Sequence, residues 1–158
     1  MAGIAVAWIY QYLGGFEKIE FKKSTISLNF KGNVYQGLYN SPKTEQFFLS
    51  AREVATSAAD IDLAIISYPS AKDSLHQIIG VISDSPIDNA DMPYDAEIKG
   101  EFLEAVITAH NLVMPKPNAV IEAADQYASS NNLKVDPTRS IDIYQGERSL
   151  RVLIPLVD

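Results

Sequence analysis

The chain has 158 residues, 47% apolar and 21% charged, with a formal net charge of −7 and no cysteine. That balance defines a globular unit, either one domain or two small fused modules. Residues 91–158 carry −5 of the charge, from eleven acids and six bases; this argues against nucleic-acid partners, and the missing thiols exclude disulfides, thiol catalysis and thiolate metal sites.

Met1 to Phe16 contains no charged side chain, and Ile4, Val6, Trp8, Ile9, Tyr10, Tyr12 and Leu13 make it strongly apolar. As a helix it would be roughly 24 Å long, short of the ~30 Å hydrocarbon core of a membrane. It also lacks the basic start of a secretory signal. Three roles stand open: the tail of a membrane anchor, an interfacial or partner-binding helix, or a segment packed on the domain. Lys18, Lys22 and Lys23 follow it as a stop-transfer flank would. The positive-inside rule then places the domain in the cytoplasm, membrane-associated if the anchor reading holds.

From Phe16 to Phe30 apolar and polar residues alternate, which predicts a strand. Gly32 is expected to mark a turn, and Val34–Tyr39 a second extended segment. Ser41-Pro42 supplies an N-cap and a first-turn proline for a helix to about Ala59. Asp62–Tyr68 and Leu75–Ser83 are expected to form paired strands, with Leu63 to Ile66 buried on both faces. Residues 83–94, acidic and holding Pro86 and Pro93, suit a linker. Lys99–Ala109 is expected to be a strand whose core face is Leu103, Ala105 and Ile107, leaving Phe102, Glu104 and Val106 on the other side. A second helix from near Pro117 to about Ser130 ends at Asn131-Asn132. Arg139–Gln145 and Leu150–Val157 close the chain as a hairpin.

The halves repeat one pattern. Phe47, Phe48, Ala51, Val54 and Ala55 form a helical stripe that Val120, Ile121, Ala124, Tyr127 and Ala128 repeat about 73 residues later. Residues 76–84 align with residues 150–158 in the same way. The expected fold is therefore α+β: two fused β-α-β-β modules, about residues 17–84 and 95–158, related by a pseudo-two-fold axis. A groove between such units is a common ligand site.

Two modules of this order, ending in Ser140-Ile-Asp-Ile-Tyr-Gln145 and Leu150-Arg-Val-Leu-Ile-Pro-Leu-Val157, resemble the GyrI-like small-molecule-binding family. That family includes the effector-binding domains of AraC-type and MerR-type regulators. The resemblance implies helices on one sheet face and a central ligand cleft on the other. It also implies an acidic residue in the last strand that meets cationic compounds; here that position holds Arg151, which repels a cation and favours an anion or carbonyl. Some relatives hydrolyse small electrophiles with an acid and a tyrosine.

Tyr35, Tyr39, Tyr68 and Tyr144 are candidate aromatic walls of the cleft. Asp142 and Tyr144 share the strand face opposite Ile141 and Ile143. Glu104 is either a cleft carboxylate or the salt-bridge partner of Arg151. His76 and His110 lie 34 residues apart, without metal-ligand spacing, and no phosphate, dinucleotide or nucleophile-elbow motif is present. The roughly 20 residues before the first strand are too few for a helix-turn-helix unit. The expected function is non-catalytic binding of a small organic molecule without a cofactor, for regulation or sensing. A hydrolase of small electrophiles using Glu104 or Asp142 with a tyrosine, and a module that modulates a protein partner at a membrane, are the alternatives.

Overall fold

The computed structural model describes residues 20–88, 91–108, 117–136, 138–145 and 149–157. Met1–Phe16 and His110 lie outside the described residues. Among the described residues no helix is long and apolar enough to cross a membrane.

The protein is α+β. Among the described residues seven strands run β1 (Phe21–Leu38), β2 (Ile61–Tyr68), β3 (Ser74–Ser83), β4 (Tyr94–Thr108), β5 (Lys134–Val135), β6 (Ser140–Tyr144) and β7 (Ser149–Val157); two helices are α1 (Pro42–Ser57) and α2 (Pro117–Ser130). All pairings are antiparallel, in the order β4-β1-β3-β2-β6-β7-β5. β4 pairs with β1 along one edge and with β7 along the other. The six long strands therefore close into a ring. The first half pairs as β1-β3-β2 and the second as β4-β7-β6.

The ring is strongly staggered. From Lys22 the paired residues run through Glu104, Leu153, Ile141, Ile66 and Ile78, and return to β1 at Val34, twelve residues on. Such a stagger over six strands means steep tilt. The ring's interior is filled: Phe30, Ile66, Ile98, Phe102, Ile141, Ile143 and Leu153 are fully buried there. The face opposite the helices is thus a dry core, which corrects the expectation of an open cleft on that side.

The helices cover parts of the outer face. α1 starts at Ser41, whose hydroxyl accepts from the Lys43 amide at 3.2 Å, with Pro42 in the first turn. Its stripe packs on Leu63, Ile65, Ile79 and Val81. α2 buries Val120, Ala124 and Ala128 against Leu103, Ala105, Val152 and Ile154. Asn132, at φ 56°, ends it, and the Leu133 amide donates back to the Ala128 carbonyl at 2.8 Å. This is a Schellman closure with Asn in the left-handed position. Ile121, expected in the core stripe, is 45% exposed instead.

Two further expectations are corrected. Gly32 is not a turn: β1 is one strand of 18 residues that passes straight through it. Gly32 pairs with Gly80, and a Cβ on Gly80 would lie 1.9 Å from the Lys31 carbonyl oxygen. The two glycines let β1 and β3 approach where the ring bends. The expected linker is also anchored, since Ile87 and Met92 are buried in the α1 cluster.

Gly80→Ala is therefore expected to destabilise the fold by at least about 2 kcal/mol, because a carbonyl of the neighbouring strand must move. Gly100→Ala meets no atom within 4 Å but places alanine at φ 132°, a strain of the order of 1–3 kcal/mol. Urea denaturation of both variants checks this: the Gly80 variant should lose more.

Candidate functional site

Ring closure divides the expected site residues between two faces. Tyr68, Glu104 and Arg151 belong to the inner face. Asp142 and Tyr144 belong to the outer one, because Ile141 and Ile143 point into the ring rather than toward the helices. Tyr35 is buried on the outer side, and its hydroxyl donates to the Leu38 carbonyl of its own strand. Tyr39 is 58% exposed, in the turn after β1.

On the inner face Glu104 is 6% exposed. Its Oε1 accepts from Arg151 Nε at 2.6 Å, and Lys22 Nζ lies 4.0 Å from Oε2. Burial alone would raise the Glu104 pKa, but hydrogen bonds from Arg151 and Ser24 and the charges of Arg151 and Lys22 outweigh it, so the carboxyl is held below its usual range. It is an ionised, engaged group and a poor general base. The Arg151 charge also reaches Asp62, whose pKa burial raises on balance. Arg151 thus finds its acid on the adjacent strand, β4, where the sequence resemblance had put an acid in the place of Arg151 itself.

On the outer face α1 lies over β2 and β3, and α2 over β4 and β7. β6 runs between them, and its outward residues are Ser140, Asp142 and Tyr144. Asp142 sits opposite Ile65 on β2 and Val152 on β7. Burial pushes its pKa up to about 6, and no hydrogen bond or ion pair reaches it among the described residues. Tyr144 is raised by burial and by the Asp142 charge.

Beside this strip lies a cavity of about 300 Å³. Its walls are Tyr68 and Pro69 from the first half and Ile121, Ala124, Val135 and Ile154 from the second. Ser67 and Ser140, a register pair, also line it, with Asp125, Asp136 and Arg139. The Tyr68 ring stacks on His76 at 4.6 Å between centroids. Asp136 accepts from the Thr138 amide and hydroxyl, at 2.9 and 2.6 Å. Of the residues expected from sequence, only Tyr68 lines this cavity. Ile121, Asp125, Arg139 and Ile154 were missed. Ile121 and Asp125, one helical turn apart, share a face that the apolar stripe alone assigns to the core. Among the described residues no cluster of His, Asp and Glu could hold a metal ion.

No family model and no curated protein matches the chain. Solved structures do. A hydrolase from Listeria innocua aligns at TM-score 0.62 and 10% identity, over 94% of this chain and 98% of that one. An integron cassette protein from the mobile metagenome of Vibrio cholerae aligns at 0.54 and 14%, over 88% and 97%. The protein SAV2435, solved bound to tetraphenylphosphonium, aligns at 0.51 and 15%, over 87% and 94%. At these identities the likeness is one of fold.

Two pH effects follow. Glu104 has a lowered pKa, so its stabilisation is present above its unfolded value of 4.5 and is lost as pH falls through the folded one. Arg151→Leu, which strands a buried carboxylate, is expected to cost about 3 kcal/mol at neutral pH, and the cost should shrink as the medium becomes acid enough to protonate Glu104. Asp142 is opposite in sign. Its folded pKa is raised from 3.8 to about 6, so stability falls as pH rises through that window. Asp142→Asn is expected to stabilise the fold at pH 7 by about 2 kcal/mol after a discount for residual solvent, and to do nothing below pH ~4. Thermal melts across pH measure both.

Proposed function

We propose that the chain is a binding module for small organic molecules of the GyrI-like kind, built from two repeats of about residues 17–84 and 95–158. The cavity between the Tyr68–Pro69 corner and α2 is its ligand site. The observation that carries this reading is that cavity itself. It is mostly apolar, and its walls come from both halves of the chain. A planar aromatic body fits against the Tyr68 ring and the Ile121, Ala124 and Ile154 side chains. The acids at its edge, Asp125 and Asp136, exceed the one cation, Arg139, so the site favours a neutral or cationic ligand. The complex of SAV2435 with tetraphenylphosphonium supports a bulky aromatic ligand on this fold. Glu104, neutralised by Arg151, has no part in it. A regulatory or sensing role is consistent with such a module.

A screen of aromatic cations, anions and neutral compounds by thermal shift tests the reading. Tyr68→Ala is expected to weaken the best binder by at least about tenfold, while Glu104→Gln leaves its affinity unchanged. Loss of binding in the Glu104 variant alone would move the site to the inner face.

One observation favours a second reading, hydrolysis of a small electrophile. Asp142, unpartnered among the described residues and with a pKa of about 6, stands near Tyr144 on the outer face of β6. A carboxylate of that basicity suits a general base near neutral pH. Turnover of an activated ester or epoxide should then rise with pH through about 6 and vanish in Asp142→Asn. A rate equal to that of buffer rejects this reading and leaves the binding site untouched.

A further inference from the structure

The ring frays along the last part of β1. Pairing of β1 with β4 ends at Gly32 opposite Tyr94. β1 runs on to Leu38, held only by β3. Tyr39 N donates to Asp73 O at 3.2 Å, so the odd-numbered residues here are those that bond β3. Antiparallel alternation then turns the backbone groups of Val34 and Gln36, and the amide of Leu38, away from β3. No other described strand pairs with this stretch.

Edge strands are usually blunted by charge, proline or a covering element. Asn33–Tyr39 holds neither charge nor proline, although the chain as a whole has charge −7, and no described strand covers its free edge. Val34 is 49% exposed and Leu38 64%, and Gln36 between them is exposed on the same face.

We propose that Val34–Leu38 pairs antiparallel with the same segment of a second copy of this chain, about a two-fold axis at Gln36. In that register Gln36 meets Gln36, and Val34 of each copy lies opposite Leu38 of the other. The edge is self-complementary for a specific reason. Two copies of a strongly acidic chain repel over most of their surface, and like charges placed directly opposite destabilise a strand pair. This stretch brings no charge to the axis, satisfies the outward backbone groups, and covers two apolar side chains per copy. The strand segment is only about 20 Å long, so the interface is small and the dimer depends on concentration.

Analytical ultracentrifugation of the full chain across a series reaching about 200 µM tests this. The sedimenting mass is expected to rise toward twice that of the monomer. Gln36→Lys places two ammonium groups on the axis and should hold the chain monomeric, with an unchanged circular dichroism spectrum. The chain has no cysteine, so Gln36→Cys gives a clean second readout: oxidation should cross-link it at least about tenfold faster than Glu122→Cys, on the exposed face of α2. A monomer throughout the series overturns the proposal. So does a dimer that survives Gln36→Lys while the two cysteine variants cross-link at equal rates.

Discussion

β4 is the strand on which the architecture depends. Residues 102–105 are hydrogen-bonded to β1 on one side and to β7 on the other. Without either pairing, the strands would form an open sheet with a free face. With both, that face turns inward and must be filled. Phe30, Phe102, Ile98 and Leu153 fill it, and each large side chain so buried contributes roughly 1.5–3 kcal/mol. Gly32 and Gly80 belong to the same constraint, because only a backbone without Cβ lets β1 and β3 come close enough for the ring to bend.

Closure also decides where chemistry can occur. A carboxylate facing the interior must be neutralised, and Arg151 neutralises Glu104 across the β4–β7 seam at 2.6 Å. The pair stitches the seam and withdraws its acid from any ligand. What remains accessible is the outer face, where two helices cover most of the strands but leave β6 between them. A carboxylate without a partner among the described residues, a tyrosine and an apolar cavity gather there. The proposed ligand site lies on the helix side for that reason.

Much of this was legible in the sequence, for local reasons. Ser41-Pro42 and Asn131-Asn132 are caps with their own geometry, and they bound the helices as expected. Period-two alternation located the first part of β1 and β6, a continuous apolar run located β2, and β3 and β7 followed as the hairpin partners of β2 and β6. The Glu104–Arg151 link was one of two readings open for Glu104, since both residues fall on strands expected to be neighbours. The illegible part was non-local. Alternation shows that Ile141 and Ile143 share a face, but not which face the helices take. On β4 the set Leu103, Ala105 and Ile107 faces the helix as expected; what alternation could not show is that Phe102 on the other face is buried as well, because in a closed ring both faces of a strand are interior to something. Gly32 looked like a turn because a glycine needed for close approach and one needed for a bend are the same letter. The cavity residues Ile121, Asp125 and Arg139 become neighbours of Tyr68 only once the β2–β6 pairing joins the two halves.

The central claim is that the inner face is a closed core. Amide hydrogen exchange along β4, followed by NMR, tests it most directly. If the ring is closed, the amides of residues 102–105 are bonded on one edge or the other without a break, and they exchange as slowly as the central amides of β3, through global unfolding. If these amides exchange much faster than β3, while the β1–β3 and β2–β3 ladders stay protected, the β4–β7 seam is open and the inner face is a cleft after all.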